Sequence, residues 1–106
     1  MNGCANITGG GLEENIKRII PKGLCANIFL NQIKVLKIFK WIKNQGINDK
    51  EMLKTFNCGV GFCIIIDEKH LNKINKFFNN DYKPYVIGKI ISNKNKIKFN
   101  GKINWK

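Results

Sequence analysis

The chain is organised around the stretch Asn6-Ile7-Thr8-Gly9-Gly10-Gly11-Leu12-Glu13-Glu14-Asn15-Ile16, in which three consecutive glycines run directly into a segment with helical spacing. Glycine has no Cβ atom, so its backbone reaches positive φ and lets amide groups approach a ligand closely. A glycine loop that opens a helix also presents unpaired N–H donors and the positive end of the helix dipole, which together attract phosphate. The stretch therefore indicates a phosphate-binding loop or a flexible turn that starts a helix.

Two features of the same stretch favour the flexible turn. Glu13 and Glu14 fall in the first helical turn, where carboxylates are stabilised by the dipole and can take the place of a bound anion. The glycine spacing also matches neither the P-loop nor the GxGxxG turn of dinucleotide-binding proteins. Both interpretations stay open on the residues alone.

Length and composition predict one globular domain. The chain has 106 residues, of which 43% are apolar, enough for a real but modest core. No apolar run approaches the roughly 20 residues that span a bilayer, and no basic-then-apolar signal stands at the N-terminus. The expected location is the cytoplasm, with no membrane partner.

A net charge of +12 raises the question of nucleic-acid binding. Arg18 is the only arginine among the 19 basic residues, whereas base readout and bidentate phosphate clamps favour arginine. The lysines are scattered and accompany an excess of asparagine and isoleucine, a bias that runs through the whole chain. We therefore expect no specific nucleic-acid partner.

Side chains with catalytic or metal-binding chemistry are few and dispersed. The four cysteines form no CxxC pair, and His70 is the only histidine, so zinc spacing is absent and no metal site is predicted. The expected state of the thiols is reduced, with a structural disulfide as the alternative. Ser92 is the only serine, and no carboxylates cluster, so no complete catalytic constellation is visible. The cysteines are Cys4, Cys25, Cys58 and Cys63.

The rest of the chain predicts helices alternating with strands. Apolar spacing predicts helices over 12–20, 35–45, 49–56 and 68–78, strands over 24–30, 62–66 and 85–91, and a hairpin of 97–99 with 103–105 around Asn100-Gly101. Asn48 and Glu51 have the spacing of a capping box, and Asp67 is a second candidate cap. Such alternation is typical of an α/β or α+β fold with a mixed sheet flanked by helices.

A second glycine-bearing stretch, Thr55-Phe56-Asn57-Cys58-Gly59-Val60-Gly61-Phe62, precedes the predicted strand 62–66. Glycines at the entry of a central strand indicate either a close approach of the backbone to something or a β-bulge. The residues by themselves favour the bulge.

Taken together, these motifs closely resemble the C-terminal part of the phosphoribosylformylglycinamidine cyclo-ligases, also called AIR synthetases. The order and spacing of the matching segments agree from about residue 5 to about residue 99, and the combination is far more specific than a single glycine motif. The matching segments are Ile7–Leu12, Glu14–Ile16, Arg18, Pro21, Phe39, Trp41, Glu51-Met52, Thr55–Gly61 and Val86–Gly88.

The resemblance implies an ATP-dependent ligase of purine biosynthesis. In this family, ATP phosphorylates the amide oxygen of formylglycinamidine ribonucleotide, and ring closure then gives aminoimidazole ribonucleotide, ADP and phosphate. The complete enzyme is expected to be a homodimer. Its N-terminal domain would supply that dimer interface and most of the contacts to ATP and Mg²⁺.

The resemblance also implies where substrate would bind on this chain. Thr8, Gly9, Gly10 and Gly11 would face the substrate or its phosphate, and Asn57, Gly59 and Gly61 would shape the neighbouring wall. Asn6 stands where the family usually has histidine; it can hydrogen-bond but carries no proton at neutral pH. The resemblance names no catalytic residue in this segment.

On this interpretation, residues 1–106 are a partial C-terminal domain that lacks the ATP-binding domain and its own first part. A split gene, a decayed gene and a fragment all fit a chain of this kind. The first hypothesis is a segment that is inactive alone and takes part in catalysis when joined to an N-terminal part. The alternative is an inactive remnant that acts as a binding or self-association module through an unpaired sheet edge.

Overall fold

The computed structural model describes residues 2–79 and 81–106, and within them it contains five β-strands and four α-helices. The strands are β1 (Gly3–Asn6), β2 (Leu24–Phe29), β3 (Phe62–Ile65), β4 (Gly88–Ser92) and β5 (Ile97–Asn100). The helices are α1 (Gly11–Lys17), α2 (Lys37–Lys43), α3 (Asp49–Thr55) and α4 (Leu71–Asn75), and none is long and apolar enough to cross a membrane.

The described strands form two sheets. Strands β1 and β3 are antiparallel, with Gly3 opposite Ile65 and Asn6 opposite Phe62. In the other sheet, β2 lies between β4, which is antiparallel to it, and β5, which is parallel to it. The predicted α+β class with mixed strand directions is confirmed.

A buried apolar cluster joins α1 and α3 to both sheets. It includes Leu12 and Ile16 from α1, Met52 from α3, Ala5 from β1 and Ile28 from β2. Burying one leucine, isoleucine or methionine side chain of this cluster stabilises the fold by roughly 1.5–3 kcal/mol. Because α1 follows the glycine loop directly, this packing also fixes the loop relative to the core.

The local signals of the third helix are confirmed in part. The Asn48 side chain accepts a hydrogen bond from the Glu51 amide at 2.8 Å, as an N-cap does. The Glu51 carboxylate accepts a hydrogen bond from the Thr55 hydroxyl at 3.4 Å, one turn further along α3. Only the Asn48 half of the predicted capping box is therefore seen.

The predicted C-terminal hairpin is wrong. Strand β5 pairs with β2, and the segment after Gly101 forms no strand. Ile103 lies in the core with 5% of its surface exposed, and the Trp105 indole donates a hydrogen bond to Asp49 at 3.0 Å. The segment after Gly101 therefore packs against the core instead of pairing with β5.

Four other predictions need correction. Strand β3 is not central, since β1 is its only partner among the described residues, and β1 itself was not predicted. Asp67 makes no side-chain cap; a 3₁₀ turn, Glu68–His70, leads into α4 instead. The fourth helix ends at Asn75, so Phe77 leaves the helical spacing and is 76% exposed. The predicted strand 85–91 begins only at Gly88.

Candidate functional site

The glycine loop joins β1 to α1 and turns tightly into the helix. The Gly11 amide donates to the Thr8 carbonyl at 3.1 Å, and Gly10 is the N-cap with φ 95°. Gly11 has φ 65°, and a Cβ atom there would overlap the Leu53 carbonyl oxygen of α3. Gly11 is therefore buried where α1 packs directly against α3, and this close contact requires a glycine.

The carboxylate of Glu14 lies over the glycine loop. A Cβ atom built on Gly10 would meet this carboxylate, and Glu13 instead pairs with Lys17 at 3.4 Å on the exposed side of α1. Two anions repel strongly at such distances, so a phosphate above Gly10 would have to displace Glu14. Ligand contacts are more accessible at Thr8 and Gly9, which are exposed.

The second glycine-bearing stretch lies directly beside the first. The Ile7 amide donates to the Gly61 carbonyl at 2.9 Å, and the Asn57 side-chain amide donates to the Ile7 carbonyl at 3.5 Å. The Asn57 side chain also accepts from the Gly59 amide at 2.8 Å. These bonds place the end of β1 and the entry of β3 side by side.

The glycines of the second stretch belong to a turn. The Val60 amide donates to the Asn57 carbonyl at 2.9 Å, and Cys58 and Gly59 have positive φ values of 55° and 109°. Pairing with β1 is continuous from Phe62 to Ile65, so the expected bulge is absent there. A close approach is present instead, because a Cβ on Gly59 would lie 3.0 Å from the Lys34 carbonyl oxygen.

The two loops together present a surface that is mostly backbone. Asn6, Thr8, Gly9 and Gly61 are exposed. Of the other candidate positions, Gly10, Asn57 and Gly59 are partly buried and Gly11 is buried. We call the exposed four the loop surface; it can hydrogen-bond a ligand and admit it close to the main chain.

Asn15 is a site-forming residue that sequence reasoning missed. It is buried in α1, and its side chain donates to the carbonyls of Thr8, Gly9 and Gly11 at 3.3, 3.3 and 2.7 Å. The signal was available, because position 15 is three residues after Leu12 and adjacent to Ile16 on the apolar face. A polar residue buried within such a face requires a hydrogen-bonding partner.

The described residues provide no set of donors for a divalent metal. No three histidine, cysteine or acidic side chains converge within 2–79 and 81–106. Asp49, the carboxylate on α3 nearest the core, already pairs with Lys43 at 3.1 Å and accepts from Trp105. The described residues therefore do not fit a Mg²⁺ site, and we derive no catalytic step that uses this ion.

The thiols give a first testable prediction. All four cysteines are free; burial raises the pKa of Cys58 to about 11, with the Asp49 carboxylate as a smaller cause, and burial likewise raises the pKa of Cys63 to about 11. At pH 8 both thiols therefore stay protonated and unreactive. We expect iodoacetamide at pH 8 to modify the exposed Cys4 first, as followed by peptide mass spectrometry.

The control for this prediction is the same labelling in guanidinium chloride. Unfolding removes burial, so all four thiols should then react at similar rates. Equal labelling of Cys4 and Cys58 in the folded protein would contradict the packing described for α3 and the turn that follows it.

Comparison with known proteins identifies the family of this chain. The family model described as AIR synthase related protein, C-terminal domain, matches residues 1–99. The phosphoribosylformylglycinamidine cyclo-ligases of Prochlorococcus marinus and Lysinibacillus sphaericus are 36% and 39% identical over 103 residues, covering 95% of this chain and 30% and 29% of those proteins. The bifunctional purine biosynthetic protein purD of Dictyostelium discoideum is 40% identical over 108 residues, covering 100% of this chain and 13% of that protein.

These matches have two consequences. The chain spans less than a third of the length of these relatives, so it corresponds to one segment of them. The family match runs through both glycine-bearing loops and all five strands apart from the last residue of β5. The chain therefore belongs to the AIR synthase related protein family, as a C-terminal domain segment.

Proposed function

We propose that this chain is the substrate-contacting C-terminal segment of an ATP-dependent cyclo-ligase that converts formylglycinamidine ribonucleotide to aminoimidazole ribonucleotide. The observation that carries the proposal is the meeting of the two glycine-bearing loops in one exposed surface, held by the Ile7–Gly61 and Asn57–Ile7 hydrogen bonds. The reaction is proposed from the relatives, which are phosphoribosylformylglycinamidine cyclo-ligases.

In this proposal the loop surface binds and orients substrate. The Thr8 hydroxyl and the Asn6 amide are hydrogen-bonding groups, and Gly9 and Gly61 let a ligand approach the backbone. Asn6 does not titrate near neutral pH, so the role fits positioning rather than proton transfer. The net charge of +12 would favour the approach of an anionic ribonucleotide.

The remaining parts of the reaction belong to a segment outside this chain. ATP supplies the phosphoryl group, and we propose that an N-terminal part holds it together with Mg²⁺. The same part would form the homodimer interface of the complete enzyme, and the cytoplasm would be its location. The chain alone is then expected to have no turnover.

The test is reconstitution with the N-terminal part of the Lysinibacillus sphaericus relative, ended where its match to this chain begins. We expect ADP release that depends on formylglycinamidine ribonucleotide from the pair, and none from either part alone. The control pairs the same N-terminal part with the relative's own C-terminal segment. Activity in that control, but none with this chain in this or any other matched pairing, would contradict the proposal.

A second candidate is an inactive remnant that self-associates. Phe62 on β3 is 60% exposed, and β3 has no second strand partner within the described residues. A groove of about 1050 Å³ also runs between the two sheets, lined largely by apolar side chains such as Ile28 and Ile64. Exposed edges and apolar grooves favour association with another copy. A monomer at high concentration in analytical ultracentrifugation would exclude this candidate.

A further inference from the structure

Asn15 is the one polar side chain buried in the core of the described residues, with 4% of its surface exposed. A buried amide is costly unless its donors and acceptor are paired. Every hydrogen bond of this side chain goes to the glycine loop or to Arg18. The cost of burial is thus offset by contacts that shape the loop.

The contacts fix the orientation of the Asn15 amide. Nδ2 faces the carbonyl oxygens of Thr8, Gly9 and Gly11, while Oδ1 accepts from the Thr8 hydroxyl and from Arg18 Nη1, both at 3.5 Å. The flipped amide would direct its oxygen at three carbonyl oxygens. Only one orientation therefore satisfies the surroundings.

This amide also determines which way the loop peptides face. In a trans peptide, the N–H points opposite to the preceding carbonyl. Since the carbonyls of Thr8 and Gly9 turn inward to Asn15, the amides of Gly9 and Gly10 turn away from it. Among the described residues, neither amide makes a backbone hydrogen bond outside the helices and strands.

We propose that Asn15 is a positioning residue: it touches no substrate itself, and it holds the glycine loop in the shape that contacts the substrate. The inference rests on the proposed function of the loop surface. It predicts that Asn15 acts through its two N–H donors, which bind the carbonyls of Thr8, Gly9 and Gly11 together, and an apolar side chain of similar size cannot replace them.

The first test is the amide spectrum of ¹⁵N-labelled protein, which needs no activity. In Asn15→Leu the signals of Gly9 and Gly10 should shift at every pH from 8 to 5. In Asn15→Asp, burial and the three carbonyl oxygens disfavour the charged carboxyl and raise its pKa, although Arg18 opposes this. The neutral acid regains one donor, so the loop signals should return toward wild type as the pH falls. The matched control is Asn72→Asp at an exposed position of α4.

The second test is kinetic, in the reconstituted enzyme. Loss of loop shape should raise KM for formylglycinamidine ribonucleotide about tenfold or more, with KM for ATP changed by less than about twofold, as expected when only one substrate is mispositioned. Asn15→Asp should recover part of this loss at lower pH, and Asn15→Leu should not.

The outcomes separate the two proposals. Unshifted loop signals in Asn15→Leu would overturn the positioning role, as would shifted signals with an unchanged KM. Absence of turnover with the wild-type chain in every matched pairing, when the relative's own segment is active, would overturn the proposed function. Even in that case, the amide signals of Gly9 and Gly10 would show whether Asn15 determines the conformation of the loop.

Discussion

Replacing Gly11 by alanine is expected to lower the free energy of unfolding by about 3 kcal/mol or more, because two costs add. The residue has φ 65°, a conformation that costs an L-residue roughly 1–2 kcal/mol. The new methyl group would also overlap the Leu53 carbonyl oxygen. A backbone carbonyl within α3 cannot rotate away, so α1 and α3 would have to separate.

Urea unfolding followed by circular dichroism measures this effect. The matched control is Gly9→Ala, two residues earlier in the same loop, where no atom lies within 4 Å of an added Cβ and φ is not positive. That change should stay within about 0.5 kcal/mol of wild type, as for other surface sites. Equal losses in the two variants would contradict the close approach of α1 to α3.

Replacing Leu12 by alanine is expected to cost about 2–5 kcal/mol, the range for a large aliphatic side chain removed from a core. Leu12 has 0% of its surface exposed and belongs to the cluster that joins α1 to Met52 of α3. The substitution leaves a cavity at the junction of the two helices, and a small domain has little stability to spare.

The matched control removes the same atoms from the surface. Leu36 precedes α2 and is 57% exposed, so Leu36→Ala should cost less than about 1 kcal/mol. Both variants are compared in the same urea titration, where an unchanged slope shows that the unfolding transition is the same. A smaller loss of unfolding free energy for Leu12→Ala than for Leu36→Ala would contradict the burial of Leu12 in the core.

Local patterns predicted the elements that depend on neighbours in sequence. The apolar run beginning at Leu24 is strand β2, Asn48 is a cap, and the glycines before Leu12 do open a helix. Each of these signals acts over four or five residues, and propensity and capping have that range.

Patterns of this short range do not predict which distant strands pair with each other. Strand β1 has only four residues, including Gly3 and Asn6, which are poor strand formers. The Asn100-Gly101 pair predicted a hairpin, yet β5 pairs in parallel with β2, a strand from much earlier in the sequence. The partner of a strand is decided by tertiary packing, which a single sequence does not display.

In the candidate site, too, local features were predicted from the sequence and contacts between distant residues were not. The glycine loop was identified from its residues, and the structure adds that Gly11 is a packing position and that Glu14 lies over Gly10. The place of Asn15 on the apolar face of α1 indicates its burial, but its hydrogen-bond partners are the carbonyls of the glycine loop, whose turn the sequence does not display. The side-by-side position of the two loops follows from the β1–β3 pairing.

The pairing of strands that are distant in sequence has a kinetic consequence. In the β1–β3 sheet Gly3 lies opposite Ile65, and in the other sheet Ala26 lies opposite Ile97, so neither sheet can form until most of the chain has been synthesised. Domains dominated by such distant contacts fold slowly, on the order of milliseconds to seconds. During synthesis, the loop surface can assemble only after β3 has emerged from the ribosome. Until then the apolar faces of α1 and β2 remain open to chaperones and to aggregation.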